Sequence, residues 1–153
     1  MTPEEKLAEL GLTLPAVVAP LAAYVPVVRT GDLVYTSGQL PMVDGKLPLT
    51  GKLGAEVSAD EGKEMARLCA LNALAALKSE VGDLAAVKRV VKAVVFVASA
   101  PGFTQQPQVA NGASEFLVEV LGSVVGSHAR SAVGVAVLPL DAPVEVELVA
   151  EVG

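Results

Sequence analysis

Between Ser58 and Ala98 the chain changes its period once, and this limits the possible folds more than any other feature. Ser58, with Glu61 three residues on, makes a capping box, in which hydroxyl and carboxylate satisfy the amides of a first helical turn reciprocally. Met65, Leu68, Cys69, Asn72, Leu74, Ala75 and Leu77 then recur at near-helical spacing until Gly82 closes the helix. A few residues later the pattern becomes a valine-rich run, Val87 to Ala98, whose β-branched side chains favour extended backbone. A helix feeding directly into an apolar strand asks for helix packed on sheet.

The flanking segments supply the remaining elements. Thr2-Pro3-Glu4-Glu5 combines a capping box with proline at the first helical position, which predicts a short helix running to Gly11. Leu12 to Ala23 holds Pro15 and Pro20 and reads as a connection. Val25 to Arg29 and Leu33 to Ser37 are β-rich runs around Thr30-Gly31-Asp32, a hairpin signal, and Pro26 restricts the first to an edge or a strand start. Asp44-Gly45 marks another turn. Pro107 to Leu121 predicts a second long helix ended by Gly122, with Val109, Phe116, Leu117 and Val120 facing in. Ser131 to Val137 and Val144 to Glu151 read as closing strands. The order α-ββ-α-β-α-ββ predicts an α+β fold, with helices on one face of a mixed sheet.

At 153 residues the chain is one domain's worth, enough to bury roughly 70% of its unfolded surface. Hydrophobic residues make up 52% and charged residues 18%, with a mean hydropathy of +0.56, yet no apolar run approaches the ~20 residues of a membrane helix. Apolar faces in excess of what one chain can bury predict an oligomer. The net charge of −6, the scattered basic residues and an aromatic content of 3% disfavour nucleic-acid binding, which needs clustered cations and stacking platforms. Cys69, the single cysteine, cannot form an internal disulfide and reads as core; no Cys/His cluster has metal-ligand spacing. The N-terminus is acidic where a signal peptide would be basic, so the expectation is a cytoplasmic protein.

The residues with chemical potential gather near the end. In Val144-Glu145-Val146-Glu147-Leu148 the apolar side chains take one face and the two glutamates the other. A glutamate pair so placed is commonly just the solvated face of a strand. Arg130, near the start of the preceding strand, is either a surface cap or an anion clamp. His128, the only histidine, reads as a loop residue without a task. Periodicity does not choose among these readings.

Three motifs in order do. Thr36-Ser37-Gly38-Gln39-Leu40-Pro41, then Asn111 with Glu115 and Phe116, then Arg130-Ser131-Ala132-Val133-Gly134-Val135 with Leu138-Pro139 and Val144-Glu145-Val146-Glu147, resemble the signatures of the RidA (YjgF) family. The resemblance runs from Tyr24 to Glu151, which predicts a single RidA-like domain over 24–153 preceded by an N-terminal helix and connection over 1–23. It implies a chorismate-mutase-like fold, a mixed sheet with two helices on one face, assembled as a homotrimer with clefts between neighbours.

The implied activity is hydrolysis of small reactive enamine or imine acids, of the 2-aminoacrylate and 2-iminobutanoate type, to a 2-keto acid and ammonia. Carried over residue by residue, the carboxylate-gripping arginine is Arg130 and the glutamate that assists water is Glu145, while Tyr24, Ser37 and Asn111 line the pocket. No metal or organic cofactor is implied, and neither nucleic acid nor membrane is an expected partner. Two other classes stay open: a non-catalytic trimer that binds a small carboxylate, and, least favoured for so acidic a chain, an endoribonuclease. Many members carry Cys two residues after the arginine and an acidic residue four after it; here these are Ala132 and Gly134, so a changed lining implies a changed substrate.

Overall fold

A computed structural model describes residues 1–17 and 22–153 of the chain. Its elements are α1 (Pro3–Glu9), β1 (Val27–Thr30), β2 (Leu33–Thr36), α2 (Ala59–Val81), β3 (Val87–Ala98), α3 (Gln106–Leu121), β4 (Ala129–Val135) and β5 (Val144–Val152). The connection expected over Leu12 to Ala23 carries no helix or strand where it is described; its Pro20 lies outside the described residues.

Both expected capping boxes form. Thr2 Oγ1 accepts the Glu5 amide while Glu5 accepts that of Thr2, and Ser58 and Glu61 do the same at α2. Ala66, Cys69, Ala70, Ala73, Leu74 and Leu77 bury the inner stripe of α2. Beside it lies α3, at an approach that only glycine permits. A Cβ on Gly112 would run into the Lys63 carbonyl oxygen, and one on Gly62 would run into the Leu53 side chain. The short α1 joins the same core through Leu7, which is 3% exposed, and Glu4 accepts a hydrogen bond from the Leu84 amide at 2.8 Å.

The five strands lie in the order β1-β2-β5-β3-β4. Only β3 and β4 are parallel, as the crossover through α3 requires, and the other pairs are antiparallel. The sheet is therefore mixed, with α2 and α3 against the face that carries Val34, Val90, Ala93, Val95, Val97, Val146 and Leu148. The expected start of β4 at Ser131 is two residues late. Pairing with β3 begins at Lys92↔Ala129, which sets Arg130 inside the strand, opposite Ala93.

Among the described residues no helix covers the other face of the sheet. Leu138, Ala142, Leu40 and Leu47 cover Phe96, Ala98 and Val135 at one end. Elsewhere Val28, Tyr35 and Val133 lie open, each more than 40% exposed. No helix among the described residues is long and apolar enough to cross a membrane.

Candidate active site

The strand register decides which side chains can meet. Ala93 pairs with Arg130 on one side and with Leu148 on the other, so all three point to the same face, the one packed on the helices. Glu145 lies three residues before Leu148, pairs with Phe96 and therefore points to the opposite face. The two residues expected to share a substrate leave the sheet of one chain in opposite directions.

Around Arg130 the helix side supplies a tether. Its Nη1 donates to Asn111 Oδ1 at 2.8 Å and to Ser114 Oγ at 3.2 Å. Asn111 and Ser114 stand one turn apart on α3, so their side chains share a face. Ser114 Oγ also lies 2.9 Å from His128 Nε2, and His128 Nδ1 lies 2.6 Å from the Gly126 carbonyl oxygen. Among the described residues nothing bonds Nε or Nη2 of Arg130, and that edge of the guanidinium can receive an anion side-on. His128 is indeed a loop residue, but it is bound into the surroundings of Arg130 rather than standing apart. Asn111, the accessory position expected in the pocket, is bonded to the arginine.

Glu145 is built from the other end of the sheet. After Thr36 the chain leaves its pairing with β5, and Thr36 Oγ1 accepts the Leu148 amide in place of a backbone carbonyl, at 3.0 Å. Pairing resumes at Gln39, which exchanges both backbone bonds with Val146. The residues skipped are Ser37 and Gly38, a bulge that opens room on the face toward which Glu145 points. The carboxyl group fills it: a Cβ on Gly38 would lie 2.7 Å from Glu145 Cδ. Burial, and secondarily the neighbouring Glu147 carboxylate, hold Glu145 above the usual carboxylate range. Ser37 spends its hydroxyl on the Val25 carbonyl at 2.6 Å, which fixes the strand start beside Tyr24. Tyr24 itself is 59% exposed.

The expected residues thus fall into two groups, Arg130 with Asn111, and Glu145 with Ser37 near Tyr24. Arg130 on β4 and Glu145 on β5 are two inter-strand spacings apart, roughly 10 Å, and point to opposite faces. A cavity of about 520 Å³ contains neither group; it lies between residues 15–17, Pro26, the loop from Gln39 to Gly45, and Asn72 on α2. Asn72 has its amide committed to the Leu40 and Met42 carbonyls, so the cavity presents mainly carbon. No cluster of metal-ligating side chains occurs among the described residues. Cys69 is fully buried in the core, where burial pushes its thiol well up and makes it a poor nucleophile. The Ser37–Gly38 bulge and the Ser114–His128 contact were absent from the sequence reading.

Comparison with known proteins gives the arrangement a context. Residues 4–152 match a family model described as "YjgF/chorismate_mutase-like, putative endoribonuclease", a span that takes in α1. The chain is 50% identical to protein TCP17 of Trypanosoma cruzi over 95% of its own length and 91% of that protein's. It is 34% identical to the 2-iminobutanoate/2-iminopropanoate deaminase of Escherichia coli K12, over 89% of this chain and 90% of the other. The crystal structure of Atu1372 from Agrobacterium tumefaciens, a protein of unknown function, superposes with a TM-score of 0.92 at 46% identity, covering 99% of this chain and 94% of that one.

Proposed function

The chain belongs to the YjgF/chorismate-mutase-like family, and on that footing we propose that it is a hydrolytic deaminase of small imino and enamine acids. The observation that carries this reading is the tethered guanidinium. With Nη1 held twice by α3, the Nε–Nη2 edge of Arg130 is preset to take a carboxylate in two parallel bonds. A lysine in its place would offer a point charge without that fork.

A 2-imino acid bound by its carboxylate has its C=N carbon fixed close to the arginine. Water adds to that carbon, the bond to oxygen forms as the C=N π pair moves to nitrogen, and the carboxylate of Glu145 accepts the water's proton. Glu145 then returns the proton to the carbinolamine nitrogen, the C–N bond breaks as ammonia leaves with its electron pair, and the hydroxyl oxygen forms the keto C=O while its proton passes to the Glu145 carboxylate. A carboxyl held above its ordinary range suits both halves of this exchange. The iminium is already electrophilic, and orientation does most of the remaining work.

One chain cannot bring Glu145 to Arg130, so the site is proposed to form between chains. The Arg130 group sits at the β4 edge on the helix side, and the Glu145 group on the open face of the sheet between β5 and the Ser37–Gly38 bulge, two different surfaces. Contact between unlike surfaces is heterologous, and where its rotation closes it makes a ring, of which a trimer is the smallest. The uncovered Val28, Tyr35 and Val133 give such an assembly apolar area to bury.

Freshly generated 2-iminobutanoate should be converted to 2-ketobutyrate and ammonia faster than in buffer, and Glu145→Gln should lose that turnover. A second reading, a non-catalytic carboxylate binder, is favoured by the arginine's tether being complete without Glu145. Binding of 2-ketobutyrate without any acceleration of imine hydrolysis would select it. The acidic charge of the chain speaks against a ribonuclease.

A further inference from the structure

His128 has no part in the chemistry just described, yet through Ser114 it ends on the arginine. An imidazole Nδ1 at 2.6 Å from a carbonyl oxygen has to be the donor, so the neutral His128 ring carries its proton there, toward Gly126. Nε2 is then an acceptor, and the Ser114 hydroxyl donates to it. This leaves the Ser114 oxygen with its lone pairs turned to Arg130, whose Nη1 can only donate. In the neutral ring the four groups form a one-way relay, with Arg130 donating to Ser114, Ser114 to His128 and His128 to the Gly126 carbonyl.

We propose that Ser114 and His128 are positioning residues for Arg130, holding its Nη1 arm so that the Nε–Nη2 edge is the one presented to a substrate carboxylate. Arginine carries several rotatable bonds, and an untethered side chain loses that freedom when it binds an anion. Here the loss is taken during folding. Asn111 provides one anchor and the relay the other, and two anchors at different angles fix the plane of the guanidinium where one would leave a hinge. His128 reaches Arg130 only through Ser114, since its own nitrogens are both engaged. The relay acts on capture of the carboxylate and not on water addition, so its removal weakens binding and spares the chemical step.

This inference rests on the reading of Arg130 as a carboxylate clamp, and the test separates the two. Ser114→Ala and His128→Ala should raise KM for 2-iminobutanoate and Kd for 2-ketobutyrate about tenfold, with kcat changed less than about threefold. Ser114→Thr keeps the hydroxyl and should restore most of the affinity. Independently of any substrate, the Arg130 Nε–H resonance in a ¹⁵N spectrum should be sharp in wild type and Ser114→Thr, and broadened or shifted to the free-arginine position in both alanine variants. Unchanged Kd and an unchanged resonance in Ser114→Ala would overturn the proposal. So would equal losses in Ser114→Ala and Ser114→Thr accompanied by lower melting points, which would mark a purely structural role. If wild type neither turns over the imine nor binds the keto acid, the deaminase reading fails, and the resonance still decides whether the relay holds the arginine.

Discussion

The Cα of Gly38 lies against the carboxyl group of Glu145, so closely that a Cβ would stand 2.7 Å from Cδ and 3.0 Å from Oε1. The neighbour that would have to yield is the far end of a flexible side chain. Gly38→Ala should therefore fold, with a melting point within a few degrees of wild type, while Glu145 swings off its position. Displacement of a general base by about an ångström should lower kcat on the order of tenfold to a hundredfold. Melting curves and imine turnover measured on one preparation check this, and a variant with unimpaired kcat would count against Glu145 as the base.

Gly112 offers the opposite case. Its Cβ would meet the Lys63 carbonyl oxygen, which is helix backbone and cannot step aside unless α2 and α3 separate. Gly112→Ala should cost about 2–3 kcal/mol, a drop of about 5–10 °C in melting point, although alanine is the better helix former. Chemical denaturation of the two glycine variants side by side should rank Gly112→Ala far below Gly38→Ala.

The pH dependence of stability follows from Glu145. Its carboxyl is held above the ordinary range by burial first and by Glu147 second, so the folded chain favours the neutral form more than the unfolded chain does. The stabilisation is complete below the ordinary glutamate value, about 4.3, and is lost as pH rises through the higher folded-state value. Glu145→Gln stays neutral throughout. Its melting point should match wild type near pH 4 and exceed it at pH 7 to 8, while its activity is lost. A gap that does not widen with pH would mean the carboxylate is better solvated than its surroundings indicate.

Much of the fold could be read from the sequence because its signals are local. The boxes at Thr2 and Ser58 and the stop at Gly82 each depend on residues within one helical turn, and they fall where expected. The alternation Val144-Glu145-Val146 correctly separated core from open face. What the sequence could not give was register. Whether Arg130 and Glu145 share a face depends on both strands being counted against β3, and that count is a property of the assembled sheet. The Ser37–Gly38 bulge was hidden for the same reason, since it exists only relative to the pairs Tyr35↔Val149 and Gln39↔Val146. Ser114 and His128 come together across a turn, and a serine in mid-helix raises no alarm by itself.

The opposed directions of Arg130 and Glu145 lead to a prediction in which two inactive proteins make an active one. If each site takes Arg130 from one chain and Glu145 from its neighbour, Arg130→Ala and Glu145→Gln homo-oligomers both lack every site. When the two are unfolded together in equal amounts and refolded, chains should assort at random. A site is whole wherever an Arg130 supplied by a Glu145→Gln chain meets a Glu145 supplied by an Arg130→Ala chain. In a ring of heterologous contacts this occurs at about one quarter of the interfaces, so the mixture should regain about one quarter of wild-type turnover. The fraction does not depend on the number of chains in the ring, so light scattering on the same sample can report the stoichiometry independently. A site contained in one chain predicts no recovery at any mixing ratio. Recovery also requires that both residues serve the same substrate, so a silent mixture of well-assembled rings would remove Glu145 from the reaction or the reaction from the interface.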